Sequence, residues 1–322
     1  MCTSIAYRDG GVFFGRNMDL DYHFDGRISV TPRNFPLIFR DFSTLDEHYG
    51  FIGMTARING GFPLYCEGMN EKGLYMAGLD FVGNAHYPSG TTAGVAPFEL
   101  IPLILGECAS VDEARCVLSG VTLSDTPYSE EVSLTPLHWH IADREKSIVV
   151  EPLADGMKIY NNPADVLTNN PPFDFQMNNL CMYMNLTPTE PLGKLAKKPW
   201  LTTFGKGLGS FGLPGDFSPP SRFVRAVYML SSSQTEEGTS HISQVFRILD
   251  NVAMVRGSVL TASGKCNFTD YSCCFSPADM ACYIKTYGNG RLSAATMTEE
   301  MLRGDEIRHF EIPRQEDIFR LA

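Results

Sequence analysis

The chain holds 322 residues, 43% of them hydrophobic and 20% charged, enough apolar content for a large core and unlike a disordered segment. Lys and Arg total 26 against 37 Asp and Glu, and a formal net charge of -11 argues against nucleic acid or an anionic membrane as partner. The longest apolar run, 97–106, contains Pro102 and falls short of the roughly 20 residues a membrane-spanning helix needs.

The start, MCTSIAYRDGG, lacks the basic and apolar segments of a signal peptide, so the expected compartment is the cytoplasm. Nine scattered cysteines in a chain of this size then read as free thiols.

Short strand-like runs come first, at 3–7, 12–14, 28–31, 51–55 and 64–67. Asp9-Gly10-Gly11 predicts a hairpin between the first two, and Asn70 to Gly73 predicts a turn before a strand at 74–79. Helical spacing follows at 97–107, and Ser110-Val111-Asp112-Glu113 has the form of a capping box ahead of 114–118. Strands are expected at 137–142 and 147–151, joined by the polar turn 143–146. From 188 to 220 the chain is rich in Pro, Gly and Lys with little periodicity, which predicts a long excursion. Helices at 221–230 and 241–255 and strands at 281–287 and 291–295, joined at Gly288-Asn289-Gly290, complete the series. The order predicts an α+β domain over 1–322, with two stacked antiparallel sheets covered by helices.

Cys2 is the first candidate for chemistry. Its side chain is small enough for the initiator Met to be removed, which would leave a thiol beside its own α-amino group. An amine with an ordinary pKa of about 7.7 to 8.0 can act as a base near neutral pH, so one residue could supply both nucleophile and base. If the first two strands pair, Arg16 to Asp19 returns beside the chain start; Asp19 could hold the amine, and Arg16 would favour the thiolate.

MCTS at 1–4, FGRNMD at 14–19, TPRNFP at 31–36, GMNEKGL at 68–74, VLTNNP at 166–171, GLPGD at 212–216 and SRFVR at 221–225 together resemble the choloylglycine hydrolase family. That family contains bile salt hydrolases and penicillin V acylases, which are N-terminal nucleophile hydrolases with a four-layer αββα sandwich. The resemblance implies that Cys2 is the nucleophile, Arg16 lies beside its sulfur and Asp19 orients the new amine. It further implies that Asn169 positions and stabilises the reacting centre and that Arg222 is a second active-site Arg. Asp80 departs from the pattern: bile salt hydrolases usually carry Asn there and penicillin V acylases Tyr. An ionised carboxylate at that point would oppose the oxyanion, so Asp80 is expected to be protonated or turned away.

Met18, Leu20, Phe24, Phe62, Tyr128, Val132 and Leu137 are candidates to line an apolar substrate cleft, or else to pack an ordinary core. The implied reaction is hydrolysis of glycine- or taurine-conjugated bile acids through an acyl thioester, with no metal or other cofactor. An acylase for penicillin V or N-acyl homoserine lactones is the alternative within the same chemistry, and a non-catalytic bile-acid binder the alternative outside it. The excursion at 188–220 resembles the family's assembly loop, which implies a homotetramer.

Three further signals carry less. Gly207 to Gly212 satisfies G-x-G-x-x-G but lacks the preceding strand and following helix of a dinucleotide site. His138 and His140 would share one strand face without a third metal ligand at a recognisable spacing, and are expected to belong to a polar face. Cys266, Cys273, Cys274 and Cys282 form no C-x-x-C pair and read as buried thiols.

Overall fold

The first hairpin forms where Asp9-Gly10-Gly11 placed it: strand Cys2–Tyr7 pairs with Phe13–Leu20 in the register Cys2 with Met18 and Ser4 with Arg16. Gly10, at φ +66°, supplies the left-handed residue of the turn. The computed structural model describes every residue except 42, 59–61, 91–93, 194–200, 237–240 and 322.

Two antiparallel sheets make up the body. In one, the order is Val166–Leu167, Cys2–Tyr7, Phe13–Leu20, Cys266–Ser276, Ala281–Thr286 and Asn289–Thr296, with Val259–Leu260 added on the Cys266–Ser276 strand. In the other, the order is Gly156–Asn161, Ser147–Leu153, Leu137–Ala142, Tyr75–Asp80, Tyr65–Asn70, Phe51–Ala56, Gly26–Thr31 and Arg308–Phe310.

Alternation along the strands sorts side chains into two cores, because successive residues of a strand point to opposite faces. Tyr75, Ala77 and Leu79 join the core between the sheets, whereas Met76 joins the core beneath helices Leu100–Glu107 and Val111–Gly120. On the first sheet, Phe14 stacks on Tyr75 with ring centroids 5.0 Å apart, while Ile5 on the other face packs with Val245 and Leu249 of helix His241–Asp250. Each fully buried side chain of this kind contributes about 1.5–3 kcal/mol. Four layers result, helices outside and sheets inside, as expected from the sequence. Gly53 and Gly68 face each other across their strands, and a Cβ on Gly53 would lie 2.1 Å from the Glu67 carbonyl oxygen, so this close approach excludes a side chain.

Several boundaries differ from expectation. The predicted strand at 12–14 runs on to Leu20, carrying Arg16, Asn17 and Asp19 through the buried interior. Strands Cys266–Ser276 and Gly156–Asn161 and helix Phe173–Leu180 have no counterpart in the sequence reading. The last hairpin turns on Tyr287 and Gly288, since Asn289 already pairs with Thr286. Ser110 caps its helix as predicted, accepting the Glu113 N–H.

Within the excursion, Leu208–Ser210 forms a 3-10 turn after Gly207, and helix Pro219–Ser232 begins before its end; positions 194–200 of it lie outside the described residues. His138 and His140 do share a face, but that face is buried and not polar surface. His140 bonds Ser4 at 2.9 Å, and burial pushes its imidazole down to about 3, which keeps it neutral. His138 joins Glu151 at 3.0 Å to the Thr168 carbonyl at 3.0 Å, tying the second sheet to the segment that presents Asn169.

Candidate active site

The register of the first hairpin places the Cys2 thiol on the inter-sheet face together with Arg16. The Arg16 Nη2 lies 3.2 Å from the Cys2 Sγ and donates to the Gly78 carbonyl at 2.7 Å. Its Nη1 donates to the Cys66 carbonyl at 2.9 Å and pairs with Glu67. Burial pulls the Arg16 guanidinium down more than any single neighbour raises it, but Glu67 together with Cys2, Tyr271 and Cys66 outweighs this and holds it above its ordinary range. Tyr271 donates to the same Glu67 at 2.8 Å, so this cation is held from behind as well as in front.

On the opposite face, Arg222 of helix Pro219–Ser232 reaches the chain start. Its Nη1 donates to the Cys2 carbonyl at 2.6 Å and to Thr3 Oγ1 at 2.7 Å, and its Nη2 donates to Asn169 Oδ1 at 2.8 Å. That Oδ1 also accepts the Cys2 backbone N–H at 2.8 Å, and Asn169 Nδ2 donates to the Asp80 carbonyl at 2.7 Å. One amide therefore ties together the nitrogen of Cys2, a guanidinium and the strand end bearing Asp80.

Asp19 pairs through its backbone with Met1: its N–H donates to the Met1 carbonyl at 2.9 Å, and its own carbonyl accepts from the Met1 amine at 2.7 Å. Its side chain is fully buried, with Oδ1 accepting from Thr269 at 2.5 Å and Oδ2 lacking a hydrogen-bond partner among the described residues. Burial raises the Asp19 carboxyl above its usual range, opposed by Arg222 at 3.8 Å and by Thr269. Burial likewise raises Asp80, whose carboxyl is half-exposed at the cleft, opposed by the terminal ammonium and His138.

Above Cys2 opens a cleft of about 700 Å³. Met18, Leu20, Phe24, Tyr128, Val132 and Leu137 line it, as does Asp80. Phe62 does not: its ring packs against Phe39 and Phe98, and its carbonyl accepts from Tyr128, so it stands behind the wall. The sequence reading missed Tyr22, Ile58, Leu64 and Phe98 in the lining, and Glu67 and Thr269 as the partners of Arg16 and Asp19. Glu67 closes one of the predicted strands, yet nothing in the local pattern marks it as the partner of Arg16. A broader hollow of about 1020 Å³ between Arg33, His48, Tyr49 and Cys116 lies apart from this chemistry, and its Arg33 is already paired with Glu71 and Glu299. No group of three or more residues suited to a metal ion occurs among the described residues, and none of their helices is long and apolar enough to cross a membrane.

A cysteine at the start of the first strand, within a four-layer αββα sandwich, is the arrangement of an N-terminal nucleophile hydrolase fold. Residues 2–310 match the profile of the linear amide C-N hydrolases, choloylglycine hydrolase family, and the chain belongs to that family. It is 41% identical over 312 residues to a bile salt hydrolase/transferase of Lactiplantibacillus plantarum, covering 95% of each chain. It is 37% identical to a bile salt hydrolase/transferase of Clostridium perfringens, covering 96% of each. A crystal structure of a mutant conjugated bile acid hydrolase from Clostridium perfringens superposes with a TM-score of 0.91 at 34% identity over 100% of both chains. The penicillin V acylase of Agrobacterium tumefaciens shares the fold at a TM-score of 0.77 and 20% identity, covering 96% of this chain and 90% of its own.

Proposed function

We propose that the chain hydrolyses the amide bond of glycine- or taurine-conjugated bile acids with Cys2 as nucleophile. The observation that carries this reading is the placement of the Cys2 sulfur, 3.2 Å from Arg16 at the floor of a largely apolar cleft of about 700 Å³. A cleft of that size and character suits a rigid polycyclic acyl group.

Loss of Met1 converts the Cys2 nitrogen into an α-amine. Asn169 already contacts that nitrogen, and Asp19 Oδ2, which faces Arg222 at 3.8 Å but accepts no hydrogen bond among the described residues, offers the new ammonium a partner. The thiol adds to the substrate carbonyl as the amine takes its proton, and the oxyanion meets amide donors, of which Asn169 retains one N–H beyond its bond to Asp80. Collapse of the tetrahedral adduct breaks the C–N bond, the protonated amine returns its proton to the leaving nitrogen, and water then cleaves the thioester. Arg222 fixes the Cys2 carbonyl and Asn169 together, so nucleophile and donor keep their relative positions. Asp80 fits this scheme as a neutral acid, the form its burial favours.

The family resemblance further supports assembly as a homotetramer through the 188–220 excursion, within which Phe211 and just before which Met182 and Met184 are exposed. Nine free cysteines fit work in the reducing cytoplasm.

Intact-protein mass, measured with amine release from glycocholate, taurocholate and penicillin V, tests the reading. The expected result is loss of Met1 and bile-conjugate cleavage that falls at least about a thousandfold in Cys2→Ser. Faster release from penicillin V would give preference to the acylase alternative. A fully processed protein that cleaves none of the three would point to the non-catalytic binder.

A further inference from the structure

One wall of the cleft is the loop 21–25, which joins Phe13–Leu20 to Gly26–Thr31 and contributes Asp21, Tyr22, Phe24 and Asp25 to the lining. The Phe24 ring packs against the core and lies 6.0 Å from the Tyr271 ring, while the backbone of the loop is fixed by a set of polar bonds. Those bonds lead to Asp270, whose carboxylate is fully buried on strand Cys266–Ser276. The Asp270 Oδ2 accepts the Phe24 N–H at 3.1 Å, and its Oδ1 lies 2.7 Å from His23 Nδ1. Arg314, from the segment after the last strand, donates through Nη1 to both oxygens at 3.3 and 3.2 Å, and through Nη2 to the Phe24 carbonyl. Arg256 closes the outside, with Nη2 at 3.1 Å from His23 Nε2 and its guanidinium 3.8 Å above the Phe268 ring.

The same terminal segment reaches the other end of the loop. Glu311 pairs with Arg57, which also contacts Asp25 at 3.2 Å and donates its backbone N–H to the Asp25 carbonyl at 2.8 Å. Both bonding groups of the Phe24 peptide backbone are thus taken up by Asp270 and Arg314, and both of these charged residues come from distant parts of the chain. The family profile ends at residue 310, short of Arg314.

Resting on the bile-salt reading above, we infer that Arg314 and Asp270 are positioning residues that hold the Phe24 wall against the acyl group, so that the terminal segment sets acyl-group specificity. A guanidinium that bridges a buried carboxylate and a carbonyl fixes two groups in one geometry, which a water molecule or a single ammonium does not reproduce. A wall left loose presents the same side chains but must be ordered on binding, which raises KM without touching the bond-breaking step. A small acyl group that does not span the cleft would not sense the difference.

The test compares full-length Arg314→Ala with wild type and with Arg291→Ala, a control that releases the Asp317 end of the same segment without contacting the loop. Four quantities are read: kinetics on glycocholate, kinetics on penicillin V, the rate of Cys2 alkylation by iodoacetamide, and hydrogen exchange of the Phe24 amide. The expected result for Arg314→Ala is a KM for glycocholate raised about tenfold and Phe24 exchange at least about tenfold faster. Its kcat, its KM for penicillin V and its alkylation rate should stay within about twofold of wild type, and Arg291→Ala should match wild type throughout. Unchanged Phe24 exchange would overturn the inference, as would unchanged KM with faster exchange, or a parallel fall in kcat and alkylation. If wild type cleaves neither substrate, the functional reading fails by itself, and the exchange data alone then decide whether the clamp exists.

Discussion

The floor and the walls of the cleft are built on different principles. At the floor, Cys2, Arg16, Asp19 and Arg222 stand on strands or a helix, Asn169 lies on the bend just after strand Val166–Leu167, and buried bonds lock them: Arg16 to Glu67, Gly78 and Cys66, Arg222 to Cys2, Thr3 and Asn169, Asp19 to Thr269. The walls are largely loops, such as 21–25 and the segment bearing Tyr128 and Val132, whose apolar side chains face the cleft. A floor of this kind fixes which bond is broken, whereas loop walls choose what is brought to it.

Three substitutions sharpen that division. Asn169→Ala removes a donor and the anchor of the Cys2 nitrogen, so kcat should fall about a hundredfold to a thousandfold with KM little changed, as steady-state kinetics on glycocholate would show. An equal rise in KM would mean that the floor also binds substrate. Phe24→Ala should raise KM for the steroid conjugate about tenfold and leave kcat within about threefold; a fall confined to kcat would erase the distinction.

The smallest effect belongs to Asp80→Asn, which should retain or raise amidase activity, since an amide replaces a carboxyl that burial keeps toward its neutral form. A loss of about a hundredfold would refute the proposed role of this position. Stability supplies a second reading. The folded Asp80 pKa is raised, so its favourable contribution is present at low pH and is lost as pH rises through the folded value. Asp80→Asn should therefore melt higher than wild type at neutral pH, by no more than about 3 °C, with the gap closing as pH falls below the ordinary Asp range.

The residues at the floor were legible in the sequence to the extent that a hairpin explains them. Asp9-Gly10-Gly11 sets the turn, and strand pairing then brings Arg16 and Asp19 beside Cys2. Asn169 and Arg222 became candidates only through the family motifs, because they arrive from 167 and 220 positions away. Strand Cys266–Ser276 escaped detection because it is central and buried on both faces while carrying Thr269, Asp270 and Ser272, which breaks the alternation that marks a half-buried strand. The same mixture cut the predicted second strand short at Phe14, before the very residues of interest. Glu67, Thr269 and Asp270 are visible only when distant strands are placed side by side. Phe62 shows the converse: an aromatic in a loop near the cleft is not thereby in it.

The pairing of Met1 with Asp19 bears on how the enzyme is born. While both backbone bonds to Asp19 are closed, the Met1–Cys2 peptide lies along a sheet strand, and a processing aminopeptidase requires a free, extended end. Asp19 is synthesised about one to three seconds after Cys2 at ordinary translation rates, whereas a hairpin zips in microseconds once both strands are available. If the Cys2 α-amine serves as the base proposed above, removal of the initiator races with closure of this hairpin, and the interval in which the ribosome has displayed one strand but not the next sets the fraction of chains that are processed.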